Sequence, residues 1–108
     1  MTSDKIAIAE AEQLPDYELV LVISPEVIDE QFEATLDNVS RFITGRGGII
    51  SEIERWGKRR LAYPIKHFGE GNYVLAKLQL KPALGKELEA NLKIADEVLR
   101  HLLIRVGS

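Results

Sequence analysis

The sequence predicts a single α+β domain in which two helices cover one face of a four-stranded antiparallel sheet. This prediction rests on four β-rich segments, on two amphipathic helical segments, and on the order in which they alternate along the chain. The chain has 108 residues, the length of one ordinary domain. Its 45% hydrophobic and 29% charged residues, without a long apolar run, are typical of a water-soluble globular protein.

The first strand and the first helix are predicted from composition and periodicity. Residues 17–23, YELVLVI, are apolar at nearly every position, as expected for a central strand. Ser24 and Pro25 break this strand, and Asp29 is a candidate N-cap for the helix that follows. Apolar residues of this helix recur at helical spacing, namely Phe32, Leu36, Val39 and Ile43. Residues 45–48, GRGG, are expected to end it, because glycine readily adopts the left-handed backbone of a helix C-terminus.

A long hairpin is predicted to follow the first helix. Residues 49–63 form its first strand, and Gly57 within them indicates a bulge or a sharp bend. Residues 64–71, PIKHFGEG, have the composition of a turn. Residues 72–80, NYVLAKLQL, then alternate so that one face carries Val74, Ala76, Leu78 and Leu80.

A second amphipathic helix and a last strand complete the pattern. The helix is expected from about Ala83, and residues 101–106, HLLIRV, form the strand. The apolar residues of this helix are Leu84, Leu88, Leu92 and Ala95. The order βαββαβ favours a ferredoxin-like fold, which leaves one face of the sheet free of helices. A function would be located on that face, although this fold hosts many unrelated activities.

Several kinds of protein are made improbable by composition. Residues 1–15 resemble neither a signal peptide nor a transit peptide, and we expect them to be a flexible extension of a domain over residues 16–108 in a cytoplasmic protein. The chain has no cysteine, and its histidines, His67 and His101, have no partner for a catalytic relay. We therefore expect no metal site, no cofactor, no enzymatic activity, no small-molecule substrate and no membrane attachment.

Charge is distributed unevenly along the chain. The net charge of −3 would argue against a nucleic-acid partner, because phosphate binding depends on basic surface. Residues 1–54, however, contain 12 acids and 3 bases, whereas residues 55–108 contain 5 acids and 11 bases. A basic surface can therefore exist on this acidic protein.

Residues 55–66, RWGKRRLAYPIK, are the main candidate for binding RNA. They carry no acid, two aromatic residues and five cations: Arg55, Lys58, Arg59, Arg60 and Lys66. Arginine can fork onto phosphate oxygens and stack on bases, which suits contact with structured RNA. The charge pattern alone leaves a second interpretation open, in which this segment is a solvated basic strand that protects a sheet edge.

Within this segment, residues 57–66, GKRRLAYPIK, resemble the signature of the bacterial small-ribosomal-subunit protein six family. The resemblance extends over residues 17–106. It implies a structural component of the small ribosomal subunit that binds the central domain of 16S ribosomal RNA together with small-subunit protein eighteen. It also implies that Lys58, Arg59 and Arg60 contact RNA or the partner, while Arg55 and Lys66 extend the same patch of charge.

A protein partner is expected on the helix-free face of the sheet. The candidate contacts are Tyr17, Trp56, Tyr73 and Leu75, since a contiguous apolar patch on a sheet usually marks an interface. Tyr73 and Leu75 alternate with the residues expected in the core. The alternative is that these side chains cover a sheet edge or pack under the hairpin. The isolated protein is expected to be monomeric.

Two other functions fit the predicted fold. An enzyme resembling the acylphosphatases would need an arginine in a glycine-rich loop after the first strand, and Ser24, Pro25 and Glu26 offer none. A regulatory dimer that senses a small ligand stays open as the alternative. A classical RNA-recognition motif is disfavoured, because residues 72–80 lack its glycine-aromatic platform.

Overall fold

The computed structural model describes residues 14–107 and has the predicted βαββαβ order. Its elements are β1 (Asp16–Ile23), α1 (Asp29–Gly45), β2 (Ile49–Ile65), β3 (Phe68–Gln79), α2 (Pro82–Lys93) and β4 (Val98–Val106). The four strands form one sheet in the order β2-β3-β1-β4, and all neighbouring strands are antiparallel. The predicted ferredoxin-like fold is confirmed. The predicted N-terminal extension falls almost wholly outside the described residues.

The core lies between the sheet and the two helices. Leu19, Leu21 and Ile23 alternate along the central strand β1 and are at most 2% exposed. They belong to the same buried cluster as Leu88 and Leu92 of α2. Burying each such side chain contributes about 1.5–3 kcal/mol, so this layer is the main source of stability.

The start of α1 differs from the prediction. Asp29 is its first helical residue, whereas the N-cap is Ile28, which forms no capping hydrogen bond through its side chain. Asp29 and Glu30 instead lie in the first turn, where the partial positive charge of the helix N-terminus favours carboxylates. Asp29 therefore stabilises the helix end through its charge and not as a cap.

The end of α1 follows the prediction in detail. The N–H of Gly47 donates to the carbonyl of Thr44 (3.2 Å), and the N–H of Gly48 donates to the carbonyl of Ile43 (2.9 Å). This pair of bonds is the Schellman motif, which places one residue in the left-handed region. That residue is Gly47, with φ of +91°.

The strands β2, β3 and β4 are each longer than the periodicity predicts. The β2–β3 turn is only Lys66 and His67, both at positive φ (49° and 73°), and the predicted turn residues on either side continue the strands. Consecutive positive φ values match the twist of a two-residue hairpin, which the sequence conceals because it lacks the usual Asn-Gly pair. β4 begins at Val98, three residues before its predicted start. Ala95 lies after α2 but still packs on the core.

The Schellman motif gives a test of the fold. Gly47→Ala should lower the free energy of unfolding by about 1–2 kcal/mol, because a Cβ makes the left-handed backbone unfavourable. Gly45→Ala is the matched control, since Gly45 lies in the last turn of α1 with open space around it. It should leave stability unchanged or raise it by up to about 1 kcal/mol. Urea unfolding measures both, and equal effects would contradict the assignment.

Candidate nucleic-acid and partner interface

The β2–β3 hairpin projects beyond the rest of the sheet. The last residue of β1, Ile23, pairs with Asn72, and Asn72 also pairs with Lys58 on the other side. Residues 59–71 therefore continue as two strands, beside which the described part of the chain has no third strand, and we call them the arm. The long axis of the molecule, 55 Å against 29 Å and 22 Å for the other two, agrees with such a projection.

Two irregularities of β2 shape the arm. The register shifts between Arg55 and Gly57, and Gly57 has φ of +82°, so the predicted bulge is confirmed. A second shift occurs because Arg60 pairs with Glu70 but Ile65 pairs with Phe68. Residues 61–64 thus lie opposite a single residue of β3, which bends the arm.

The second irregularity attaches the arm to the sheet. Leu61 is 8% exposed although the residues on either side of it are open to solvent. A Cβ on Gly71 would collide with the side chain of Val22 and would lie 3.9 Å from Leu61. Gly71 thereby allows the base of the arm to lie close against the end of β1. Tyr63, in the same bulge, stays 68% exposed.

Four of the predicted RNA-binding residues lie at or on the arm. Lys58, Arg59, Arg60 and Lys66 are all exposed. Within residues 14–107, none of these four cations lies within ion-pair distance of a carboxylate. Arg59 pairs with Gly71 and Arg60 with Glu70, so their side chains leave opposite faces of the arm. The arm is therefore basic on both sides.

The fifth predicted cation, Arg55, has a different environment. It pairs in the sheet with Val74, a core residue, so its side chain leaves the face that carries the helices. Its guanidinium donates two hydrogen bonds to the carboxylate of Glu33 in α1, one of them, from Nη2 to Oε1, at 2.7 Å. The guanidinium also lies 5.9 Å from the ring centroid of Phe32. The side chain of Arg55 is therefore bound to α1.

The helix-free face of the sheet, which we call the open face, carries an apolar strip. Tyr73 and Leu75 lie on it as predicted, opposite Val22 and Val20 of β1. Leu75 is 9% exposed, so its neighbours already cover most of it. Tyr17 was placed wrongly by the prediction, because it alternates with the core residues of β1 and packs against the core.

Three exposed residues of the strip belong to β4, and the prediction missed them. Leu102, Ile104 and Val106 are 43%, 44% and 42% exposed. Leu102 pairs with Val20, which places the three alternate side chains on the open face. The alternation in HLLIRV could have revealed them, since its second, fourth and sixth residues share one face.

Trp56 joins the open face to the arm. Its indole N–H donates to Oε1 of Glu54 (3.1 Å), and the guanidinium carbon of Arg59 lies 5.2 Å from its ring centroid. Glu54 pairs with Leu75 and Arg59 with Gly71, so Trp56 contacts two open-face residues and lies on that face as predicted. The hydrogen bond from Trp56, assisted by a hydrogen bond involving Glu52, lowers the pKa of Glu54 below its ordinary value.

Metal-binding side chains are not clustered within residues 14–107. No group of three or more side chains of the kinds that bind metals is found in this range. His67 lies in the hairpin turn, and His101 lies 4.0 Å from Glu89 of α2. No helix in the described part of the chain is both long enough and apolar enough to cross a membrane.

The family follows from comparison with known proteins. The model of the family described as ribosomal protein S6 matches residues 16–105, which include β1, the arm and nearly all of β4. The chain belongs to the ribosomal protein S6 family. The predicted family is therefore confirmed, and with it the assignment to the small ribosomal subunit and a ribosomal location.

Individual relatives agree with this family. Small ribosomal subunit protein bS6 of Dehalococcoides mccartyi strain 195 is 37% identical over 106 residues, covering 98% of this chain and 97% of the relative. The protein of the same name from Desulforudis audaxviator is 43% identical over 89 residues, covering 82% and 95%. The crystal structure of 30S ribosomal protein S6 from Thermotoga maritima has a TM-score of 0.83 at 32% identity, covering 87% of this chain and 89% of that protein.

The contact between Trp56 and Glu54 predicts a titration in acid. Trp56 is the single tryptophan, so its fluorescence reports this site alone. Because the carboxylate form of Glu54 accepts the indole N–H, the interaction is present above the ordinary pKa and is lost as pH falls through the lowered pKa. We expect a fluorescence transition with a midpoint below the ordinary pKa of a glutamate side chain. Glu54→Gln should abolish it, and an unchanged transition in this variant would contradict the assignment.

Proposed function

We propose that this protein is a structural component of the small ribosomal subunit that binds the central domain of 16S ribosomal RNA through its arm. The observation that carries this proposal is a set of exposed cations on the arm, which within residues 14–107 have no ion pair and no third strand beside them. Phosphate groups are the ligands that such a surface attracts. Membership of a ribosomal protein family supports the interpretation that these phosphates belong to RNA. It gives no reason to expect catalysis.

The chemistry of the arm suits structured RNA. Arg59 and Arg60 lie on opposite faces, so one strand of the arm can contact phosphates on two sides. The exposed ring of Tyr63 offers a surface on which an unpaired base can stack. A two-stranded hairpin is only marginally stable alone in water, and RNA packed against it would supply the missing contacts.

We further propose that the open face binds small-subunit protein eighteen and that the protein is monomeric without it. Leu102, Ile104 and Val106 form an exposed apolar edge that continues to the half-buried Tyr73 and the buried Leu75. Interfaces of this kind have an apolar centre and a polar rim, which Glu18 and Arg100 provide here. The arm and the open face would then act side by side in one complex.

Removing two arm cations tests the RNA proposal. Arg59→Ala with Arg60→Ala should weaken binding to a central-domain RNA fragment and reduce the slope of log K against log salt by about 1–2. Titrations at several salt concentrations, in the presence of protein eighteen, measure both quantities. Lys86→Ala with Lys93→Ala removes the same charge from α2 and should preserve the slope. An identical slope in the arm variant and the wild type would exclude these residues as phosphate contacts.

A charge on the open face tests the partner proposal. Leu102→Asp should weaken binding of protein eighteen about tenfold or more, because an apolar side chain at the interface is replaced by a desolvated carboxylate. The thermal unfolding midpoint should stay close to that of the wild type, since Leu102 is 43% exposed. Ile94→Asp, at a residue 79% exposed beyond α2, is the matched control. Equal affinities for the two variants would place the partner elsewhere.

The oligomeric state tests the alternative function. Dimers of the wild type in sedimentation would favour a regulatory dimer instead.

A further inference from the structure

We propose that Arg55 and Glu33 form a brace that fixes the direction of the arm, so that Arg55 is a positioning residue and not an RNA contact. This inference rests on the proposed RNA-binding function and refines it. Arg55 belongs by sequence to the basic segment, yet its two hydrogen bonds to one carboxylate set it apart from the other four cations.

The guanidinium of Arg55 is engaged from two directions. Its fork binds both oxygens of Glu33, a geometry that uses the same donors a phosphate would need. The ring of Phe32 lies beside it, which adds a cation–π contact. To reach RNA, Arg55 would have to give up both interactions and leave the surface of α1.

The position of this pair explains why it would act on the arm. β2 is an edge strand of the sheet formed by the described residues, so within them its backbone is hydrogen-bonded to β3 on one side only. The register shifts between Arg55 and Gly57, and the arm begins two residues after Gly57. A groove between α1 and β2 is lined by residues of both elements, among them Glu33, Ile53 and Arg55. The pair therefore ties the last regular part of β2 to the rigid helix.

The consequence is preorganisation. Holding β2 at the base of the arm reduces the range of directions that the arm samples, so less entropy is lost when RNA binds. Both side chains are 53% exposed, and solvent therefore screens their attraction. We expect effects of about two- to fivefold on binding, the size that exposed ion pairs produce.

The acid variant, Glu33→Gln, makes opposite predictions for the two roles of Arg55. As a brace, Glu33→Gln should weaken RNA binding about two- to fivefold with the salt slope unchanged. Arg55→Lys should do the same, because lysine keeps the charge but cannot form the fork. As a phosphate contact, Arg55 would instead be freed by Glu33→Gln, and RNA would bind more tightly.

The matched control is Asp37→Asn on the same helix. Asp37 also pairs with an arginine, Arg41 at 3.0 Å, but this pair lies within α1 and does not reach β2. Asp37→Asn changes the net charge as Glu33→Gln does, so long-range electrostatic effects are equal in sign. RNA binding should be weaker in Glu33→Gln than in Asp37→Asn.

Hydrogen exchange without RNA separates this proposal from the proposed function. Glu33→Gln and Arg55→Lys should speed amide exchange in residues 59–71 severalfold, while Asp37→Asn leaves it unchanged. If exchange accelerates but the wild type binds no RNA, the brace is supported and the RNA-binding function is overturned. If exchange in the arm is the same in all four proteins, or if Glu33→Gln tightens RNA binding, the brace is overturned.

Discussion

The unequal pairing of β3 with its two neighbours determines where the arm leaves the sheet. β3 pairs with β1 only from Asn72 onwards but with β2 from Phe68 onwards. Four residues of β3, and the part of β2 that faces them, consequently extend past the core. Because the helices pack over β1, no third strand and no helix within residues 14–107 covers the extension. Its exposed cations and Tyr63 are therefore available for contacts with other molecules.

The sequence predicts the helices and strands well because apolar residues recur at different spacings in the two kinds of element. Helical spacing in α1 and α2 and alternation in β3 each identify a buried face directly. In β1 this signal is absent, since Leu19, Val20, Leu21 and Val22 are all apolar. The face that meets the helices is then fixed by the register with β3 and not by β1 itself. This is why Tyr17 was assigned to the wrong face.

The candidate site could be predicted only in part, because the charge of a side chain does not reveal which other side chain it contacts. Arg55 and Arg59 look alike in a basic segment, yet the first binds a carboxylate 22 residues earlier in the chain and the second lies over Trp56. Nothing local in the sequence distinguishes these environments. The bulge at Gly57 was predictable, but the irregularity of residues 61–64, which directs Leu61 inward and Tyr63 outward, depends on the register with β3.

The proposed RNA and protein surfaces are physically continuous. Leu75 of the open face pairs with Glu54, Glu54 accepts the indole N–H of Trp56, and Arg59 lies over that indole. A partner that covers the apolar strip would therefore border Trp56 and restrict the orientations of Arg59. RNA bound to Arg59 would restrict the same group. Coupling between two ligands is reciprocal, so any gain in RNA affinity from the partner must equal the gain in partner affinity from RNA. In this fold such coupling needs no long pathway, because one tryptophan belongs to both surfaces.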